Sequence, residues 1–314
     1  MLEIGRCVVV GIALFVYAAP VIVLVVLIWV VARRAPQTSR TAQHSVALTH
    51  AVRAAQTRAI VAIGFTAVLL FVGFAVATAF PSLLGVPVAV APALAGTGGL
   101  LLYAFTPPAA DPSGVTHAHA ASLTPRRGWT FTPRKTLVGL FGLVAATFAL
   151  FVVTGVTSST DDAGRHRAMT FVGDGFMSSA SPYPGWFYAI PLMVATAGLV
   201  VAALLALRRL ASTPSLPGPG LEQEDTVWRV ESTRVLTTLL GAMMALQFGG
   251  VGVIAGNTAR NAASHPDVSG VVSAAADAIL VVGFVALVAS LVCFTLAVLR
   301  AFGLQRTLQL EVDA

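Results

Sequence analysis

The chain has 314 residues, 57% of them hydrophobic and only 10% charged, with a mean hydropathy of +0.86. A soluble domain carries about 25% charged residues, so this composition excludes an ordinary soluble domain and indicates a polytopic membrane protein. In such a chain the net charge of +6, from 19 basic against 13 acidic residues, belongs to cytoplasmic loops and not to nucleic acid.

The first apolar run, 8–32, is too long for a signal-peptide core. Arg33 and Arg34 follow it without an A-x-A cleavage pattern, which predicts an uncleaved spanning helix kinked at Pro20. The stretch 41–58 is Ala-rich and continues into a second run, 59–80. A third run, 86–105, contains Pro87, Pro92, Gly96, Gly98 and Gly99. It reads as spanning, with a broken or re-entrant segment as the alternative. After a Pro- and His-rich loop comes the fourth run, 136–156. The low-basicity loop 157–185 leads to the fifth, 186–207. The segment 222–234 places acids early and arginines late, as the helix dipole favours, with Asp225 and Arg229 at i,i+4. It leads into the sixth run, 235–256, and the seventh is 278–299. The expected fold is a single-domain, all-α bundle of seven transmembrane helices.

Basic residues set the orientation. Loops 33–58, 106–135 and 208–234 and the tail hold 15 of the 19, which predicts an outside N-terminus and a cytoplasmic C-terminus. Lys135 is the only lysine, a bias that suggests a GC-rich bacterial genome. Cys7 and Cys293 sit at different depths in this layout, which excludes a disulfide between them.

The sixth run organises the bundle. On a helix, Gly241, Ala245, Gly249, Gly252 and Gly256 share one face, and Gln247, the only amide, points roughly the other way. The seventh run offers Gly283, Ala286, Ser290, Cys293 and Ala297 as a matching small-residue seam. A helix with glycines on one side and an amide on the other belongs at the centre.

Chemistry is harder to find. No charged residue lies deep in any run, although Asp277 lies at the outer edge of the seventh and is expected to pair with Arg260. There is no nucleotide-binding loop, no HExxH and no GxSxG. A retinal Schiff base needs a lysine in the last helix, and none is there. Gly173-Asp174-Gly175 reads as a turn. His117 and His119 read as part of a solvated loop. On the outside, Asp161, Asp162, His166, Asp174, Tyr183, Trp186, His265 and Asp267 form a candidate ligand site, against the plainer reading of polar loops with an interfacial aromatic belt.

The loop Asp161-Asp162-Ala163-Gly164-Arg165, with the aromatic stretch 178–191, resembles that of uncharacterised multi-spanning membrane proteins of high-GC Gram-positive bacteria. The resemblance covers the loop and the fifth run and implies no activity. The sequence therefore predicts a plasma-membrane protein embedded in the lipid bilayer, with no catalytic, metal or cofactor site. Its expected role is that of a non-catalytic sensor, scaffold or accessory component with a membrane or cytoplasmic protein partner. The alternative is a permease or export protein for a small solute. The oligomeric state is left open.

Overall fold

The computed structural model describes residues 46–106, 129–213 and 222–312. In chain order these form α1 (Val46–Ala79), a short 3-10 turn (Pro81–Leu83), α2 (Val86–Phe105) and α3 (Arg134–Val156). Strands β1 (Ser159–Thr160), β2 (His166–Gly173) and β3 (Phe176–Ala180) follow, then α4 (Trp186–Ala211), α5 (Glu222–Ala262) and α6 (Gly270–Val312). The six α-helices are each long and apolar enough to cross a membrane. The chain is a multi-pass integral protein of the plasma membrane.

The expected count of seven spans is corrected to six among the described residues. The supposed first span, 8–32, lies outside them, and so does the placement of the N-terminus that depended on it. Apolar length states which solvent a segment prefers, but it does not give the segment a place in the bundle. Trp29, Cys7, His117 and His119 also lie outside the described residues.

The expected central helix is central. In α5, 78% of the apolar span is buried, against 11% in α3 and 17% in α6. Glycines set how closely its neighbours approach. A Cβ on Gly249 would stand 2.8 Å from the Gly283 carbonyl oxygen, and one on Gly256 would stand 2.6 Å from the Leu280 nitrogen. A Cβ on Gly252 would lie 3.3 Å from Gly283 Cα, and one on Gly283 would lie 2.7 Å from Val253 N. Ser290 adds a hydrogen bond from its hydroxyl to the Ala242 carbonyl, 2.8 Å. The two helices thus meet backbone to backbone as an antiparallel hairpin. Gly241 is the exception: its Cβ would look at Leu140 of α3, 3.6 Å away. Ala245 is buried, while Ala286 is half-exposed at the edge of the seam.

The Gly- and Pro-rich α2 is a continuous helix and not a re-entrant segment. Pro87 lies in its first turn, where no backbone donor is lost, and Pro92 is accommodated inside it. Its glycines admit neighbours. A Cβ on Gly99 would fall on Thr66 of α1, and one on Gly96 would meet Leu199 of α4 and Met243 of α5, 2.8 and 2.9 Å away. The entry turn needs a left-handed residue, supplied by Gly85 at φ +81°.

Three helices outrun the membrane. α5 has 41 residues and α6 has 43. At 1.5 Å per residue each is roughly 60 Å long, about twice the hydrocarbon thickness. Most of the excess of both, and the first turns of α1, lie at the end rich in arginine. There Gln56 Nε2 donates to the Phe302 carbonyl at 3.1 Å, and Arg300 Nη1 donates to Thr238 Oγ1 at 2.6 Å. Ala55, Trp228 and Ala301 are buried between the helices. The result is a three-helix stem that continues the bundle beyond the bilayer.

Candidate functional site

The loop 157–185 is a small antiparallel sheet, in the order β1-β2-β3, that caps one end of the bundle. The alternation Met169-Thr170-Phe171-Val172 runs into Asp174-Gly175 and out through Phe176-Met177, a hairpin joined by a two-residue turn. Gly175 takes φ +81°, as such a turn requires. The turn was legible from the sequence, but the strands flanking it were not predicted.

The candidate outer residues are mostly spent on holding this cap together. Asp161 accepts from the Arg165 and Ala163 backbone N–H groups and from the guanidinium groups of Arg165 and Arg167. The Arg165 N–H foremost, with the two guanidinium groups, holds its carboxyl well below the usual carboxylate range. Tyr183 is buried, and its hydroxyl pairs with Thr157 Oγ1 at 2.7 Å. Burial pushes that hydroxyl's pKa up. Trp186 packs where a Cβ on Gly155 would stand, 2.7 Å from its ring. His265 stacks on Phe176, ring centroids 4.0 Å apart, with the Asp267 carboxylate 3.5 Å from Nδ1. Asp162, His166 and Asp174 are exposed. Among the described residues no three His, Cys, Asp or Glu side chains gather closely enough to hold a metal ion.

Two predictions arise at this end. Asp161→Asn should raise amide exchange across the β1–β2 loop. Because the folded carboxyl titrates below its unfolded value near 3.9, its contribution is complete above that pH. It is lost as the pH falls below it, so cap order should persist at pH 5 and fail only in stronger acid. Arg260 Nη1 lies 3.3 Å from Asp277 Oδ1, and both side chains are more than half exposed. A double-mutant cycle should therefore give a small coupling, about 0.5 kcal/mol, and a value near zero would mean that each simply reaches water.

Inside the membrane, Gln247 Nε2 donates to Thr196 Oγ1 of α4 at 2.8 Å, and Gln247 Oε1 is buried without a partner. The hydroxyls at this depth that could line a solute path are turned to their own backbones. Thr66, Thr97, Thr147 and Thr154 donate to the Ala62, Ala93, Leu143 and Leu150 carbonyls of their own helices.

The stem end holds the densest polar burial. Arg229 is fully buried and paired with Asp225 through two hydrogen bonds, 2.8 and 3.1 Å. It also donates to the Leu210 and Thr213 carbonyls at 2.7 and 2.9 Å, closing the C-terminus of α4. Arg58 is 7% exposed; its Nη2 donates to the Tyr103 carbonyl at 2.9 Å and its guanidinium lies 4.6 Å from the Tyr103 ring centroid. Arg58 Nε and Trp228 Nε1 are buried without hydrogen-bond partners, and the buried Tyr103 and Ser232 hydroxyls face each other. The sequence reading missed this group. Arg58 was counted as a loop charge, because burial of a residue at a helix end depends on which helices flank it.

No protein-family model, no curated protein and no solved structure matches this chain.

Proposed function

We propose that this membrane protein works without catalysis, as a sensor, scaffold or accessory component that acts on a partner through its stem. The observation that carries this reading is the continuity of α5. At one end its Thr258 Oγ1 donates to the Pro182 carbonyl of the cap, 2.6 Å. At the other end it supplies Asp225, Trp228 and Arg229 to the stem. One rigid helix therefore joins an extramembrane cap to an extramembrane stem, so a shift at either reaches the other as a rigid-body movement. By the positive-inside rule the stem is the cytoplasmic end. Packing in the membrane supports the same reading, since Thr66, Thr97, Thr147 and Thr154 bond to their own helices and Ser290 ties α6 to α5.

The second reading, a permease or export protein for a small solute, draws on the unpartnered Gln247 Oε1 beside Thr196. Extraction of the full chain in mild detergent, with identification of what co-purifies, separates the two. A stoichiometric partner, lost when the exposed stem residues of α1 and α5 are replaced, supports the first. No partner, together with solute uptake into liposomes that Gln247→Leu abolishes, supports the second and overturns the first.

A further inference from the structure

We propose that the notch between α3 and α6, over the face of α5 at Thr238 and Gly241, holds an anionic phospholipid of the cytoplasmic leaflet. The neighbours of α5 form a ring around it that is open at one place. α3 packs on α4 and α5, α6 packs on α5 and α1, and among the described residues α3 and α6 do not pack on each other. Between them the face of α5 is half-open at Thr238 and Gly241. Further along, Ala245 and Gly249 are buried, and Leu287 of α6 lies 2.9 Å from the Cβ position of Gly249. Gly241 leaves room at the open part: only Leu140 of α3 comes within 4 Å of its Cβ position, at 3.6 Å.

The mouth of the notch is basic. Arg300 of α6 reaches across to α5, where its Nη1 donates to Thr238 Oγ1 at 2.6 Å. Arg234 lies one turn before Thr238, whose hydroxyl donates to the Arg234 carbonyl at 2.6 Å. α3 begins with Arg134 and Lys135. α3 and α5 run in the same direction and meet at Leu140 and Gly241, so Lys135 and Arg234 lie roughly 8 and 11 Å from that contact on the cytoplasmic side. Three helices thus bring four cations to one level, and all four side chains are exposed. Among the described residues the one carboxylate paired with any of them is Glu231, on Arg234. An apolar notch with a basic mouth at the membrane boundary is complementary to a phospholipid. The phosphate meets the guanidinium groups, and the first methylenes lie against Gly241 and Leu140. A second copy of the chain does not suit this face, because a two-fold contact through it would set these cations against themselves. The inference goes beyond the partner-based role above and does not rest on it.

The test uses delipidated, full-length protein in mild detergent, titrated by native mass spectrometry with phosphatidylglycerol and, in parallel, with zwitterionic phosphatidylethanolamine. Wild type should bind one phosphatidylglycerol saturably, and more tightly than phosphatidylethanolamine. Arg234→Gln and Arg300→Gln should each weaken phosphatidylglycerol about 5-fold, the share of one cation near an anionic headgroup. Arg300→Lys keeps the charge and should keep most of the affinity. Gly241→Leu fills the notch and should weaken binding severalfold with little change in melting temperature, because only Leu140 stands near. Arg208→Gln, exposed at the same end on α4, which does not border the notch, should leave binding unchanged. If Arg300→Gln fails to fold, Arg234→Gln and Gly241→Leu decide. Equal affinity for the two lipids, equal loss in Arg208→Gln, unchanged binding in both Arg234→Gln and Gly241→Leu, or no saturable binding to wild type would overturn the proposal.

Discussion

Gly256→Leu is expected to open the α5–α6 hairpin and lower the melting temperature of the detergent-solubilised protein sharply. A Cβ at this position would lie 2.6 Å from the Leu280 nitrogen, 2.8 Å from the Ala276 oxygen and 2.9 Å from Leu280 Cα. All three are backbone atoms, so no rotamer change can relieve the clash, and α6 must move as a body. The cost should be about 3 kcal/mol, the upper part of the range for overpacked interiors. In a bilayer the added apolar surface brings little return, because lipid is as apolar as leucine and helix association rests on close packing. Gly250 is the control on the same helix. Nothing lies within 4 Å of its Cβ position. Gly250→Leu should be neutral, or stabilising by up to about 1 kcal/mol through better helix propensity. Thermal unfolding of the two variants beside wild type checks this, and equal melting temperatures would remove the close-packed hairpin from the account. Gly249→Leu should follow Gly256→Leu, since its Cβ would meet the Gly283 carbonyl oxygen and the Leu287 side chain at 2.8 and 2.9 Å.

Arg229→Gln should be as damaging, for an electrostatic reason. The guanidinium satisfies the Asp225 carboxylate and two carbonyls at the end of α4 while fully buried. Removing it leaves Asp225, itself 5% exposed, without its cation. Breaking one side of a buried pair costs about 3–5 kcal/mol. Arg229→Lys should rescue little, because an ammonium is a point charge that cannot span a carboxylate and two carbonyls in the fork geometry. The measurement is expression yield and melting temperature in mild detergent. A variant as stable as wild type would show that the pair is surface-like and that the stem is not packed as described.

Both predictions concern α5, yet they differ in how far the sequence foretold them. The glycine spacing 249-252-256 places three small residues on one helix face, and a short connection to the next apolar run makes that run the natural neighbour. This is local information, carried by a period of 3.6. Asp225 and Arg229 are also readable as an i,i+4 pair, but that spacing fixes adjacency and says nothing of burial. The pair is interior because α4 ends against it and Phe131 lies over the guanidinium. The Gly- and Pro-rich run 86–105 shows the same limit from the other side. Its composition suits a broken helix as well as a closely packed one, and only the approach of Thr66, Leu199 and Met243 decides for packing.

The sequence by itself determined the solvent of each segment, the spans from α1 to α6, the central place of α5 and the basic end. Each of these is a sum or a period along the chain: hydropathy over about 20 residues, charge per loop, small residues every third or fourth position. Tertiary structure alone decided that the loop 157–185 is a sheet, that Asp161 and Tyr183 serve its framework, and that three helices form a stem. It also decided that Arg58, counted in the sequence as a loop charge, is a buried cation. These outcomes depend on which distant segments lie side by side. A residue at a helix end faces water or protein according to neighbours tens or hundreds of positions away, as with Arg58 and Tyr103, or Gln56 and Phe302. No local pattern in one chain carries that pairing.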